Sequence, residues 1–309
     1  MYIYLLKLTY FRSVNFILEF MPEHTRYINP LVDFSFRKIF GSDPNKDLLI
    51  AFLNEIFKGR KHIIDLVYNK NEHDGENQEE ARAVFDLLCT GDQGERFIIE
   101  VQHTKPVNFK KRGIYYTSRL ISEQAVKGQV KNWQYDISEV YFVAVLEQQS
   151  DLKMDSDRFI HDACLCYRDT GEIFYDGLGY TYLDLANFVK TEEECVSDLE
   201  LWLYWLKHLH ETDKLPEHLK ETIFERLFNI AEYTNLSKEE QAMYNQDLKR
   251  KWDNEAARVN SVEEGRAKGL AEGRHEQALE IASKLKAKEL PVPEIMELTG
   301  LSAEEINAL

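Results

Sequence analysis

The residues best equipped for chemistry lie in "VFDLLCTGDQGERFIIEVQ", Val84 to Gln102, where Asp86, Glu100 and Gln102 interrupt runs of Val, Ile, Leu and Phe. Two carboxylates on neighbouring strands, with an amide two residues past the second, form a donor set for a divalent cation. Mg2+ takes one or two carboxylates, keeps several waters and leaves positions for phosphate oxygens. Asp86 and Glu100 supply the carboxylates in this reading, and the Val101 carbonyl a further oxygen. A cation held there acidifies a water and neutralises charge on a phosphodiester during in-line attack. By spacing alone the rival reading is a surface hairpin with two solvated acids.

The elements that must position these groups follow from periodicity. Along the first strand Val84, Asp86 and Leu88 are expected to point one way and Phe85, Leu87 and Cys89 the other. "TGDQGE" is rich in turn formers, so the chain reverses into a second strand, Arg96 to Gln102, on which Glu100 and Gln102 share a face. Upstream, Phe36, Ile39 and Phe40, then Leu48, Leu49, Phe52, Leu53 and Ile56, recur at helical spacing and predict two helices joined at "GSDP". "HIIDLVYNKNE" reads as a short strand. From Phe109 to Val130 the pattern is helical, with Ile114, Tyr115, Leu120 and Ile121 among its apolar positions, and "SEVYFVAVL" has the length and continuity of a buried strand. Helix, helix, strand, hairpin, helix, strand is an α/β order.

Further strands are expected around the turns of "CLCYRDTGEIFYDGLGYTYLDL". "ECVSDLELWLYWLKHL", "HLKETIFERLFNIAEYTNL" and "KEEQAMYNQDLKRKWDNEAARV" are amphipathic helices. After Arg258 the composition shifts: Ser261 and Glu264 form a capping-box pattern that opens a charged helix with Gly265, Gly269 and Gly273 four apart. "PVPEIMELTGLSAEEINAL" reads as helix, Gly300 turn, helix, with Ser302 and Glu305 as a second capping box.

Composition narrows the function classes. The 309 residues are 44% hydrophobic, and a formal charge of -16 disfavours non-specific binding to nucleic acid or anionic membranes unless charge is segregated. It is segregated: between His103 and Trp133, Lys105, Lys110, Lys111, Arg112, Arg119, Lys127 and Lys131 face only Glu123. This basic stretch follows directly on the candidate ligands and interleaves Phe109, Tyr115 and Tyr116, as a phosphate-backbone grip would. The alternative is a solvated helix face. Cys89, Cys164, Cys166 and Cys195 give no disulfide framework, and Cys164 with Cys166 lacks a second ligand pair, so reduced thiols in a cytoplasmic protein are expected. The apolar opening of the chain is broken by Lys7, Arg12 and Glu19, too early for a membrane span. Met21 is the expected start, residues 1–20 being an upstream extension or arm. No G-x-S-x-G, Walker loop or G-x-G-x-x-G occurs.

Asp86, a hairpin, then "IEVQ" resembles the PD-(D/E)xK nuclease core in the variant with Gln in place of Lys, and specifically the Rpn family of recombination-promoting nucleases and PD-(D/E)xK-type transposases. "YINPLVDFSFRKIFG", "LLIAFLNEIF", "KKRGIYYTSRLISEQAVKGQ", "YTYLDLANF", "LWLYWLKHL" and "EEGRAKGLAEG" extend the resemblance from Tyr27 to Leu309. It implies a restriction-endonuclease-like core, a mixed sheet flanked by helices, and Mg2+- or Mn2+-dependent cleavage of DNA phosphodiesters with little sequence specificity. It places the acidic pair on Asp86 and Glu100 and the terminal polar position on Gln102. An amide has no exchangeable acid proton near neutral pH, so Gln102 can orient a water but cannot act as general base, leaving catalysis to the cation or to a neighbour such as His103 or Lys105. Asp33 is either a third acidic member carried by the first helix or the N-cap of a helix beginning at Phe34. Lys105, Lys110, Lys111, Arg112 and Arg119 are the expected DNA contacts.

The expected organisation is an extension at 1–20, a nuclease core at 21–148, a strand-containing then helical region at 149–258, a glycine-containing charged linker helix at 259–290 and a helix-turn-helix-like tail at 291–309. The second helix of that tail carries Glu304 and Glu305 and no Lys or Arg, which suits a protein contact or self-association better than DNA. DNA is the expected partner, with no membrane. The alternative function is a catalytically weak or inactive DNA-binding or partner-binding protein on the same fold.

Overall fold

The structure is a computed structural model and describes residues 25–70, 72–73, 83–103, 108–124, 134–148 and 158–309. Residues 1–20 and Lys105, Lys127 and Lys131 lie outside the described residues.

Two helices, α1 (Asp33–Phe40) and α2 (Lys46–Ile56), precede β1 (Leu66–Tyr68), and a two-stranded ribbon of β2 (Glu72–His73) and β3 (Ala83–Val84) leads into β4 (Leu87–Gly91) and β5 (Arg96–Gln102). Helix α3 (Phe109–Ser122), β6 (Val140–Leu146), β7 (Ile160–Cys166) and β8 (Ile173–Asp184) complete the core. The six-stranded sheet has the order β1-β4-β5-β6-β8-β7. Its centre is parallel, β5 with β6 and β6 with β8, and its flanks are antiparallel. The fold is therefore a mixed sheet flanked by helices, followed by a helical region.

Sheet alternation divides the interior into two cores. Phe97, Ile99 and Val101 of β5 join the larger one, packed by α1, α2, α4 (Asp198–His208) and α5 (Ile223–Ala231) around Trp202, Phe52 and Phe228. Ile98 joins the smaller one, with Leu88, Phe142, Phe109 and Leu120, so α3 covers that face. Every residue of β6 is buried, as a parallel strand covered on both faces requires. The apolar positions expected of the first two helices, Phe36, Ile39, Phe40, Leu48, Leu49, Phe52, Leu53 and Ile56, are all buried. The hairpin turn also follows the sequence: Gly94 sits at φ +88°, a left-handed conformation that glycine adopts without steric cost.

Two local expectations are overturned, at Phe85 and at Ser261. Phe85 packs with Leu88 in the smaller core rather than with Leu87 and Cys89, because the chain bends at Asp86 and the period of two restarts there. Helix α3 buries Phe109, Gly113, Thr117 and Leu120 and leaves Ile114 and Tyr115 exposed. Gly113 suits this close approach, since a Cβ there would lie a tight 3.2 Å from the Phe142 ring. Ser261 opens no new helix: α6 (Lys238–Lys286) runs through it, and Ser261 Oγ bonds back to Ala257 O at 2.9 Å.

The chain forms two compact units, one through Leu248 and one from Lys249 to Leu309. In the second, α6 continues past Gly265, Gly269 and Gly273, and a small core of Ala282, Ile295, Leu301 and Ile306 joins it to α7 (Val292–Thr299) and α8 (Ala303–Ala308). Gly300 at φ +72° and the Ser302–Glu305 capping box are as the sequence predicts. Among the described residues no helix is long and apolar enough to cross a membrane, and the cysteines are free thiols.

Candidate active site

The site forms where the β4–β5 ladder runs out. Leu87 and Ile99 are its last pair, and beyond them side chains take over the hydrogen bonding. Asp86 Oδ2 accepts the Val101 N–H at 2.8 Å, and Glu100 Oε1 accepts the Asp86 N–H at 3.3 Å. Each carboxylate thus holds the backbone beside the other, which brings the two acids together. The hairpin can carry buried acids because each accepts a backbone N–H.

Glu100 is 5% exposed, and burial, then the charge of Asp86, raises its carboxyl well above the usual carboxylate range. Arg112 opposes the shift. The Asp86 carboxyl is also raised, by burial first and by Asp33, against the Val101 N–H, Arg37 and His103. The Arg37 contact, Nη2 to Asp86 Oδ1 at 3.8 Å, is long and half exposed. Two carboxylates that resist simultaneous ionisation fit a divalent cation, which would relieve both burial and repulsion. Among the described residues no group of three or more His, Cys, Asp and Glu is arranged to hold a metal ion, so water and substrate oxygens would complete the coordination. The Val101 side chain is buried in the larger core, which leaves its carbonyl as the oxygen it could contribute.

Gln102 and Glu100 do share a face, and α3 meets both. Arg112 Nη2 donates to Gln102 Oε1 at 2.7 Å and to Glu100 Oε2 at 3.3 Å. Its guanidinium stacks 4.5 Å from the Phe109 ring centroid and 5.8 Å from that of Tyr116. Lys110 and Lys111 are exposed on the same helix, and Arg119 is half-buried two turns on.

Asp33 is the first residue of α1, inside the helix rather than at its cap position. Val32 holds the cap position, and the Phe34 N–H goes instead to Asp247 Oδ2 at 3.1 Å. Asp33 Oδ1 lies 3.0 Å from His103 Nε2, whose Nδ1 lies 3.0 Å from Glu147 Oε2. Glu147 follows β6 directly and its N–H bonds Gln102 O at 3.0 Å. Sequence reasoning named His103 but missed Glu147 and Arg37. An acid just past the carboxyl end of a buried parallel strand was the available signal for Glu147, because such strand ends border clefts. Arg37 stands four residues after Asp33 on α1.

A mixed sheet whose antiparallel hairpin presents paired acids beside a covering helix is the PD-(D/E)xK type of core. The profile of the family described as PD-(D/E)XK nuclease family transposase matches residues 30–260, and the chain belongs to that family. The match spans α1 through nearly the first half of α6, in agreement with the resemblance carried by the motifs. No curated protein and no solved structure matches the chain. Membership supports a nuclease-like function, for which DNA is the natural substrate class and divalent metals the usual cofactors.

Proposed function

We propose that the protein is a divalent-metal-dependent DNA endonuclease of low sequence specificity, working in the cytoplasm with Mg2+ or Mn2+. The observation that carries this reading is the mutual clasp of Asp86 and Glu100 in a partly buried site roofed by a basic helix. In hydrolysis a water oxygen bonds to phosphorus, one P–O ester bond breaks, and the water proton ends on the departing alkoxide. The bound cation would supply an acidified water and charge neutralisation. The chain's own part is to hold that chemistry in place: Asp86 and Glu100 would bind the cation, the Val101 backbone keeps Asp86 aimed, and Gln102 contributes an amide but no base. Asp33 acts through His103, to which it is bonded, so its contribution is to hold the β5 end. Lys110 and Lys111 meet the phosphate backbone, with Arg119 and Lys105 extending the grip. The C-terminal unit serves a protein contact, self-association included.

The test is nicking of supercoiled plasmid at low salt by the purified protein with Mg2+ or Mn2+, beside Asp86→Ala and an EDTA control. Nicking that needs both metal and Asp86 supports the nuclease. DNA binding without nicking in either metal would favour a binding protein on a nuclease fold.

A further inference from the structure

Arg112 is an arginine with most of its hydrogen-bonding capacity unspent. It is anchored through Nη2 alone, while Nε is buried without a partner and Nη1 donates to no group among the described residues. The shorter of its bonds, 2.7 Å, goes to the neutral Gln102 amide, and the longer, 3.3 Å, to Glu100. The guanidinium charge is therefore not consumed by a bidentate carboxylate pair, the geometry in which arginine and carboxylate neutralise each other best. Phe109 and Tyr116 flank the planar head and fix its orientation, so little rotamer freedom remains to be lost on binding an anion. Because arginine can only donate, the atom of Gln102 that faces it must be Oε1, and the acceptor of that amide is already occupied.

We propose that Arg112 is the phosphate-binding cation of this site, anchored by Glu100 and Gln102 and presenting Nη1 to a non-bridging oxygen of the bound phosphodiester. The positive charge that a lysine on the second strand would bring comes here from α3, and Gln102 serves as the bracket that holds it. Arg112 thus differs in kind from Lys110 and Lys111: they attract DNA from the exposed side of the helix, whereas Arg112 contacts one phosphate at the acids. The inference rests on reading the site as one for phosphodiesters.

The proposal separates metal binding from phosphate binding, and that separation is its test. Wild type, Arg112→Met and Arg112→Lys are compared for Mn2+ binding by electron paramagnetic resonance, for binding of a short DNA duplex in Ca2+ across a salt series, and for cleavage. Arg112→Met is expected to bind Mn2+ as tightly or up to about tenfold more tightly, since a cation opposing the metal has gone. Its duplex binding should lose about one unit of salt slope, and its cleavage should fall on the order of 100-fold. Arg112→Lys should recover the salt slope but not full cleavage, because the anchored planar fork is missing. Weakened Mn2+ binding together with a lowered Tm in Arg112→Met would reveal a merely structural residue and overturn the proposal. So would an unchanged salt slope. If wild type binds Mn2+ and duplex without cutting, the nuclease reading fails while the two binding measurements still judge Arg112. If wild type binds no duplex, both fall.

Discussion

The Asp86 carboxylate and the Val101 backbone N–H are joined at 2.8 Å just beyond the last pair of the hairpin ladder, Leu87 with Ile99. Asp86 is thereby a structural acceptor as well as a candidate metal ligand, and the two duties can be separated. Asp86→Asn keeps an oxygen for the Val101 N–H, whereas Asp86→Ala leaves that donor unpaired at a cost of about 1–3 kcal/mol. Both variants are expected to lose cleavage, but only the alanine should lose stability in urea unfolding. Equal destabilisation by the two would show that the Val101 bond contributes nothing.

The acid pair also makes stability depend on pH. Burial, reinforced by neighbouring charge, raises the carboxyls of Glu100 and Asp86 in the folded protein. A carboxyl raised on folding contributes stability below its unfolded pKa, near 4, and that contribution is lost as pH rises through the folded value. Metal-free protein should lose Tm from about pH 5 upward, and Glu100→Gln should lose less. At alkaline pH the glutamine variant should be the more stable by on the order of 1 kcal/mol, and a divalent cation should stabilise only the wild type. Calorimetry across pH checks this, and parallel Tm profiles for the two proteins would contradict it.

His103 ties the first residue of α1 to the residue following β6 through Asp33 and Glu147, both at 3.0 Å. A double-mutant cycle of Asp33→Asn with His103→Ala should give a coupling energy of about 0.5–2 kcal/mol. Additive effects within a few tenths would mean that the contact carries no net energy.

The exposed lysines of α3 should share the salt dependence expected of Arg112 but not its large loss of cleavage. Lys110→Ala and Lys111→Ala should each lower the salt slope of DNA binding by about one unit and weaken all sequences alike. Fluorescence anisotropy over a salt series reads this directly. A slope that does not change in either variant would remove α3 from the interface.

The C-terminal unit rests on a core of Ala282, Ile295, Leu301 and Ile306. Ile295→Ala should cost that unit about 2–4 kcal/mol and raise hydrogen exchange across 292–308, while β5 and β6 keep their protection. Loss of protection in the sheet as well would show that the two units unfold together.

Legibility in the sequence tracked how local each cause was. Helices α1 and α2, the hairpin turn at Gly94, the β6 run and the Ser302 cap were readable because spacing, glycine and capping chemistry act within a few residues. The bend at Asp86 was not, because side-chain hydrogen bonds from the opposite strand replace the ladder there. The buried face of α3 was not legible either, because it includes a glycine and a threonine. Phe109, Gly113, Thr117 and Leu120 face inward, with Gly113 where Phe142 comes close, while the apolar Ile114 stays outside.

For the site, sequence alone determined the cast: two acids and an amide on one hairpin, a histidine after them, and a basic helix next in the chain. Residue type and strand period are carried by the chain itself. Tertiary structure decided the pairing. It bound each acid to the backbone beside the other, turned Arg112 inward to Glu100 and Gln102 while Lys110 and Lys111 stayed outside, and gave Asp33 to His103. The reason is physical: a buried polar group must find its partner among whatever the fold places within about 3 Å, and those neighbours come from segments far apart in the chain.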